Sequence, residues 1–198
     1  MFLALVLLQT TSQGIVTQTR DRIERADTII VTVTQVVEEF PKPVKTKWWY
    51  RKGGYYRYES PKGTFIASPE KSWSYRSASE KAYMAFPGAQ TDWSLSRETG
   101  LGGVGDLSQL PPIGIPMTVE WRGRRVVRIQ IDGTKKMTPE TKLYYFFDPA
   151  THNPVGISAN LGSMTQVTEF ADLQINPKID DTIFKFVPPK DWKLVTGG

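Results

Sequence analysis

The chain has 198 residues, a formal charge of +5, 39% hydrophobic residues and 12% aromatic residues, a composition typical of one globular domain and not of a disordered chain. It contains no cysteine, which excludes a disulfide framework, a thiolate metal site, a cysteine nucleophile and a lipid-modified N-terminal cysteine. Fourteen prolines and sixteen glycines favour short strands joined by turns.

The N-terminus predicts an export signal over residues 1–14. Residues 1–8, MFLALVLL, are continuously apolar, and Ser12 and Gly14 lie where a signal peptidase expects small residues, so cleavage is predicted before Ile15. The apolar run is short and no basic residue precedes it, so the start of a buried helix or strand is the alternative. A run of this length cannot cross a bilayer, which needs about 20 apolar residues. A periplasmic or otherwise exported protein is therefore expected.

A helix and a long strand are predicted next. Residues 17–26, TQTRDRIERA, are predicted to form a helix. Val16, Ile23 and Ile30 recur at seven-residue spacing with charged residues between them, which indicates a narrow apolar stripe. Residues 28–40, TIIVTVTQVVEEF, are rich in β-branched side chains, which indicates a strand that ends at Pro41 and Pro43.

The following segments predict an antiparallel meander. Two arms, Lys47–Lys52 and Tyr55–Ser60, flank a Gly-Gly turn, and short strands continue to residue 86. Ala89–Pro112 interrupts the pattern with a predicted short helix, Thr91–Thr99, inside a long loop, and the strands then resume. This organisation favours a mostly β domain.

The Gly-Gly turn also predicts a register. If the loop has two residues, Arg51 pairs with Tyr56 and Trp49 pairs with Tyr58. Paired residues share a face of the sheet, so these four side chains would project together. A three-residue loop would reverse one arm of the hairpin.

The basic residues are concentrated in one segment. Lys42–Lys62 contains seven Lys or Arg residues and one acid, Glu59, so the remainder of the chain is close to neutral. Its aromatic residues alternate with cations, which is typical of a surface for an apolar or anionic ligand, although strand aromatics also fill cores. We expect this segment to meet an anionic membrane surface or an acidic partner protein.

Motifs for catalysis and cofactors lack their structural context. Residues 100–105, GLGGVG, match the dinucleotide pattern G-x-G-x-x-G, but no strand precedes them, which favours a flexible loop. The only histidine, His152, lies in a predicted turn, and no G-x-S-x-G nucleophile elbow occurs. We therefore expect no enzyme, no metal site and no cofactor.

Three segments in order carry a resemblance to a known family. They are KGGYYRYES at residues 52–60, GTFIASPEKSWSY at residues 63–75 and DDTIFKFVPPKDWKLV at residues 180–195. Together they resemble the LolA-like family, which includes the outer-membrane lipoprotein carriers, the LolB receptor and the RseB-type stress-signalling domain. The resemblance implies that residues 15–198 form a single LolA-like domain of the mostly β (α+β) class. The family fold is a half-open antiparallel β-barrel meander, with a few helices covering the mouth of an apolar cavity.

The resemblance also implies a site for acyl chains. The arginine of the family's basic turn maps onto Arg51 with one inserted residue, or onto Lys52 without it, and the predicted register favours Arg51. This arginine would gate the cavity or bind a headgroup, and Trp93 would lie on a mobile cover. The residues expected to line the cavity are Trp49, Tyr56, Tyr58, Phe65, Trp73 and Tyr75.

The function expected from these observations is a soluble exported protein that holds the acyl chains of a lipid or lipoprotein, in envelope lipoprotein sorting. The alternative within the same resemblance is an RseB-like sensor or interaction domain that signals envelope state without transport. Single-stranded nucleic-acid binding would also use aromatic and basic residues, but the apolar N-terminus argues against it. No nucleic-acid partner is therefore expected.

Overall fold

The computed structural model describes most of the chain: residues 11–37, 40–76, 80–87, 111–132, 142–160 and 164–195. Four features predicted from the sequence lie outside these residues. They are the apolar run at residues 1–8, the short helix Thr91–Thr99, the GLGGVG stretch and Trp93.

Helix α1 spans Ser12–Glu24 and begins before the predicted residue 17. Thr11 is its N-cap, because the Thr11 hydroxyl accepts a 3.0 Å hydrogen bond from the Gly14 backbone N–H. The Ser12 hydroxyl donates to the Gly114 carbonyl at 3.0 Å, which ties the first turn of α1 to the sheet. In the part of the chain that the structure describes, no helix combines the length and apolar character needed to cross a membrane.

Twelve strands account for most of the remaining described residues, and a 3₁₀ helix, Asp181–Phe184, lies near the C-terminus. The strands are β1 Thr28–Val37, β2 Phe40–Arg51, β3 Tyr55–Ser60, β4 Gly63–Ala67, β5 Lys71–Tyr75, β6 Ala82–Pro87, β7 Pro112–Trp121, β8 Arg124–Ile131, β9 Lys142–Phe147, β10 Pro154–Asn160, β11 Thr165–Ile175 and β12 Lys193–Leu194. His152 lies in the turn between β9 and β10, as predicted.

The strands form one sheet in the order β12-β6-β5-β4-β3-β2-β1-β11-β10-β9-β8-β7. It consists of two antiparallel meanders, β1 to β6 and β7 to β11, which join where β1 pairs with β11. Strand β12 adds to β6 in parallel. Among the described strands the two ends of the sheet do not pair, so the sheet stays open. The predicted class, a half-open antiparallel β-barrel with a helix, is confirmed.

Strand β2 corrects one prediction, because Pro41 and Pro43 lie inside it instead of ending β1. The described pairs between β2 and β3 involve only Lys47–Arg51, so the proline-containing half of β2 pairs with β1 alone. A proline has no N–H to donate and is tolerated where a strand has a neighbour on one side only.

We call the face of the sheet on which α1 packs the inner face, and the opposite face the outer face. Ile15 and Val16 of α1, each 2% exposed, pack against inner-face residues of β8 and β9 such as Ile129 and Tyr145. A second buried cluster on the inner face contains Val31 and Trp48 and is contacted by Ile23 of α1. Helix α1 therefore fills the inner face along the second meander and the centre of the sheet, whereas β3 to β6 extend beyond these two clusters.

Candidate functional site: an aromatic pocket on the inner face

The β2–β3 hairpin has a register that differs from the predicted one. Arg51 pairs with Tyr55, and Trp49 pairs with Arg57. The predicted pairs, Arg51 with Tyr56 and Trp49 with Tyr58, are wrong, because the loop contains the three residues 52–54.

The residue that extends the loop from two residues to three is Lys52. A backbone hydrogen bond explains why Lys52 does not pair with β3. The Lys52 N–H donates a 2.8 Å hydrogen bond to the Asp27 carbonyl, so it is directed toward the segment before β1 and not toward β3. Gly53 and Gly54 then both take positive φ angles, +91° and +87°, which residues with a side chain rarely adopt.

This register divides the predicted site residues between the two faces. On the inner face lie Tyr56, Tyr58 and Phe65, together with Trp48, which pairs with Tyr58. On the outer face lie Trp49, Arg51, Trp73 and Tyr75.

The inner-face aromatic residues border a cavity of about 420 Å³, here called the inner pocket. The rings of Tyr56 and Phe65 stack at 5.3 Å between centroids, and those of Trp48 and Tyr58 lie 4.3 Å apart. Trp48 and Tyr56 are buried, at 5% and 4% exposed, and they anchor the pocket floor to the core. The complete lining is Trp48, Tyr56, Tyr58, Ser60, Lys62, Gly63, Thr64, Phe65, Ser74, Tyr75 and Arg76.

The outer face of the same strands is covered by residues 177–195, here called the C-terminal segment. The ring of Phe186 stacks on Tyr75 at 5.3 Å between centroids and lies 6.2 Å from Trp73. The Trp192 ring meets the edge of Tyr75 at 5.2 Å. These contacts use the aromatic side chains of β5 that the sequence assigned to a ligand cavity.

Two arginines of the hairpin hold the start of this segment. The Arg51 guanidinium lies 3.9 Å from the Tyr55 ring centroid and 4.9 Å from that of Phe184, and it pairs with Asp181. Arg57 donates to the Ile183 carbonyl at 3.2 Å and forms a 2.6 Å ion pair with Glu59. Phe184 is only 3% exposed beneath these contacts. Both guanidinium groups therefore have partners within the fold.

A second cavity of about 420 Å³ lies between the outer face and the C-terminal segment. Arg51, Trp73, Asp181 and Lys185 are among its lining residues, so charged groups border much of it. The inner pocket instead has a contiguous aromatic floor next to the core. Its shape and chemistry suit an apolar ligand better than those of the outer cavity.

Three of the eight predicted site residues, Tyr56, Tyr58 and Phe65, line the inner pocket from the inner face, and Tyr75 also borders this pocket although its ring stacks on Phe186 at the outer face. Arg51 and Trp73 line the outer cavity, and Trp49 carries the Lys47 ammonium 4.8 Å above its ring. Trp93 lies outside the described residues. The pocket residues Trp48, Lys62 and Arg76 were not among the predicted site residues. If the predicted hairpin loop had been given three residues, Trp48 would have been paired with Tyr58 and placed on the same face.

Two ionisable groups near the hairpin and the C-terminal segment have a shifted pKa. Burial raises the pKa of Tyr50, and the nearby Asp27 charge adds to this effect. A hydrogen bond from the Thr182 backbone N–H lowers the pKa of Asp180 at the start of the 3₁₀ helix, and the Thr182 hydroxyl adds to it. Within the described ranges, no three His, Cys, Asp or Glu residues lie close enough together to hold a metal ion.

No protein-family model matches the chain, and no curated protein matches it in sequence. Solved structures match it in fold. An uncharacterized conserved protein from Thermus thermophilus has a TM-score of 0.55 and 12% identity over 91% of this chain and 98% of its own. LprF from Mycobacterium bovis has a TM-score of 0.51 and 10% identity over 91% of this chain and 97% of its own.

The matching structures also include NE2245, a LolA superfamily protein from Nitrosomonas europaea, with a TM-score of 0.38 and 11% identity over 89% of this chain and 98% of its own. The chain shares its fold with the Thermus protein and with LprF.

Proposed function

We propose that this chain is a binding protein that holds the acyl chains of a lipid or lipoprotein in the inner pocket. The observation that carries the proposal is the aromatic floor formed by Trp48, Tyr56, Tyr58 and Phe65 around a cavity of about 420 Å³. Its volume falls within the range of roughly 300–1,000 Å³ typical of small-molecule sites.

An acyl chain suits this floor for energetic reasons. Each methylene group that leaves water for an apolar surface contributes about 0.8 kcal/mol. The floor is held in place before a ligand arrives, because Trp48 and Tyr56 are almost fully buried. Little side-chain freedom would then be lost on binding, which favours affinity.

The proposal extends to an exported carrier in envelope lipoprotein sorting, with residues 1–14 as the signal peptide. The exported chain would then begin inside α1 at Ile15 and would lack the Thr11 cap and the Ser12 hydrogen bond. The support for this extension is the ordered resemblance to the LolA-like family. Trp93 is proposed to lie on a cover over the pocket, and the Lys42–Lys62 segment is proposed to approach a membrane surface or an acidic partner. Transfer of a bound lipid to acceptor vesicles separates a carrier from an RseB-like sensor, which would retain its ligand.

Native mass spectrometry of the protein recovered from its own cell envelope without detergent tests the proposal directly. We expect a discrete added mass that fragments to acyl chains. An unliganded mass, together with no uptake of added lipid, would show that the pocket is not an acyl-chain site.

A pocket-filling variant assigns any bound lipid to the inner pocket. Ser74 pairs with Phe65 on the inner face and lines the pocket, so Ser74→Trp should fill the cavity and abolish lipid binding. The matched control is Lys71→Trp, which places the same ring at an exposed outer-face position of β5. We expect the control to keep its lipid; equal loss from both variants would contradict the assignment. Circular dichroism checks that both variants fold.

A further inference from the structure

We infer that Lys62 and Arg76 form a recognition site for an anionic headgroup, a phosphate or carboxylate, at the mouth of the inner pocket. The ligand is an amphiphile whose acyl chain lies on the aromatic floor while its charged end meets these two side chains. This inference rests on the proposed function and adds the chemical class of the ligand. It replaces Arg51 as the candidate for headgroup binding.

Both residues line the same pocket as the aromatic floor, and both are exposed. Lys62 lies in the β3–β4 turn, and Arg76 directly follows β5. An exposed cationic mouth next to an apolar floor is complementary to an amphiphile with one anionic headgroup and an acyl chain. A purely apolar ligand would gain nothing from the charged end.

The backbone holds the turn of Lys62 against the end of β5. The Ser60 hydroxyl accepts a 3.2 Å hydrogen bond from the Lys62 N–H and donates to the Gly63 carbonyl at 3.1 Å. Gly63, at a φ of +150°, packs so closely that a Cβ there would lie 2.5 Å from the Tyr75 carbonyl oxygen and 2.9 Å from the Arg76 Cα. A residue without a side chain is therefore required, and this close approach places residues Lys62 and Arg76 at the border of the same pocket.

The charges of Lys62 and Arg76 are not neutralised by the described part of the fold. No acid in that part lies within 4.0 Å of either cation, whereas Arg51 and Arg57 have ion pairs with Asp181 and Glu59. Glu80 shares a neighbouring cavity with Arg76 but lies beyond ion-pair distance. Two basic residues that no described acid neutralises, beside an apolar pocket, would attract an anion.

The two side chains contribute differently to anion binding. The planar guanidinium of Arg76 can donate two parallel hydrogen bonds to a phosphate or carboxylate, and the ammonium of Lys62 adds a compact positive charge. The same contacts could capture a free phosphate ester, so the test must separate that ligand from a lipid headgroup.

Isothermal titration calorimetry with three probes makes this separation. The probes are palmitoyl-lysophosphatidylglycerol, monopalmitoylglycerol and glycerol 3-phosphate, each lipid below its critical micelle concentration. We expect the anionic lipid to bind at least about tenfold more tightly than the neutral one, the gain of a charge-assisted contact. Glycerol 3-phosphate alone should bind far more weakly than the anionic lipid.

Two matched double variants then assign the preference. Lys62→Gln/Arg76→Gln should lose the preference for the anionic lipid, because it should weaken binding of the anionic lipid far more than binding of the neutral one. Lys45→Gln/Lys71→Gln removes the same net charge from exposed outer-face positions and should keep the preference. Gly63→Ala retains both cations but disturbs their placement, so it should reduce the preference without altering the net charge.

The outcomes separate this inference from the proposed function. Equal binding of both lipids, or an unchanged preference in Lys62→Gln/Arg76→Gln, would overturn the headgroup site while leaving acyl binding intact. Glycerol 3-phosphate binding as tightly as the lipid would show a free-phosphate site instead. Failure of both lipids to bind would overturn the headgroup site and the proposed function together.

Discussion

The two faces of strands β3 to β5 carry similar aromatic side chains and use them differently. On the outer face, Trp73 and Tyr75 are covered by Phe186 of the C-terminal segment. On the inner face, Tyr58 and Phe65 border a cavity of about 420 Å³. The composition of the strands is therefore not what distinguishes a covered aromatic surface from one that borders a cavity.

The difference lies in what the chain supplies opposite each face. The outer face receives its cover from residues more than a hundred positions later, held by contacts such as Arg57 to the Ile183 carbonyl at 3.2 Å. The inner face receives α1, whose buried Ile15 and Val16 pack against β8 and β9, on the other meander. Among the described residues, no segment covers the inner-face aromatic rings of β3 and β4 as the C-terminal segment covers those of β5, and these inner-face rings form the surface proposed to bind acyl chains.

The strongest test of the sealed face is Phe184→Ala. Phe184 is 3% exposed and packs beside Tyr55 and Arg51, so its truncation should lower the free energy of unfolding by about 3 kcal/mol. Urea unfolding measures this loss, and lipid affinity of the folded variant should be unchanged. The control, Val187→Ala, truncates an 84% exposed residue of the same segment and should change stability by less than about 0.5 kcal/mol. Equal effects would show that the segment does not seal the outer face.

On the inner face, Phe65→Ala should affect lipid affinity strongly and stability less than Phe184→Ala does. Phe65 is half-buried and stacks on Tyr56 at 5.3 Å between centroids, so truncation should cost about 1–2 kcal/mol of stability. It also removes part of the pocket floor and should weaken lipid binding by about tenfold or more, measured by calorimetry. A variant that loses stability but binds lipid normally would make Phe65 a core residue and not a ligand contact.

Arg51→Leu distinguishes anchoring of the C-terminal segment from gating of the pocket. Arg51 pairs with Asp181 and lies over Tyr55 on the outer face, so the variant should lose about 1 kcal/mol of unfolding free energy. Lipid binding and release rates should match those of the unmodified protein, as measured by stopped-flow fluorescence. Altered release with unchanged stability would instead restore the gating role implied by the family resemblance. Lys52→Leu, at an exposed loop residue, is the control and should affect neither property.

Acidification should produce the smallest effect, at the start of the C-terminal segment. The pKa of Asp180 is lowered chiefly by the Thr182 backbone N–H, so its ionised form stabilises the fold. That contribution is complete above the ordinary value of about 3.9 and disappears as the pH falls through the lowered folded-state pKa. Asp180→Asn keeps an acceptor at every pH. The stability gap between the two proteins in urea should therefore shift in favour of the variant below about pH 4; a gap independent of pH would contradict the assignment.

Most strands were predicted from the sequence in their order along the chain, because the start and end of a strand depend on local patterns. The β-branched run that forms β1 and the turns around β4 and β5 identified the meander, and the ordered resemblance identified the fold. The register of β2–β3 could not be predicted in this way. It depends on the hydrogen bond from the Lys52 N–H to the Asp27 carbonyl, which joins residues of different elements.

The candidate site was predicted only in part, because some of its residues are grouped by local alternation and others by contacts between distant segments. Tyr56, Tyr58 and Phe65 alternate on adjacent strands, so the sequence correctly grouped them. Whether Trp73 faces a ligand or Phe186 depends on where the distant C-terminal segment lies. Lys62 and Arg76 border the same pocket because Gly63 lies close to the β5 backbone. No spacing pattern in the sequence indicates this close approach.

The junction between β1 and β11 has a consequence for the order of assembly. Each meander can form hairpin by hairpin between neighbours in sequence, but pairs such as Val33 with Phe170 join the first strand to the last strand of the second meander. Closing so long a loop carries an entropic cost that local hairpins avoid, and contacts of this kind slow folding. The centre of the sheet thus depends on the latest-synthesised part of the second meander. A chain that stops before β11 would lose the strand pairing that joins the two partial sheets, and only the packing of α1 would still connect them.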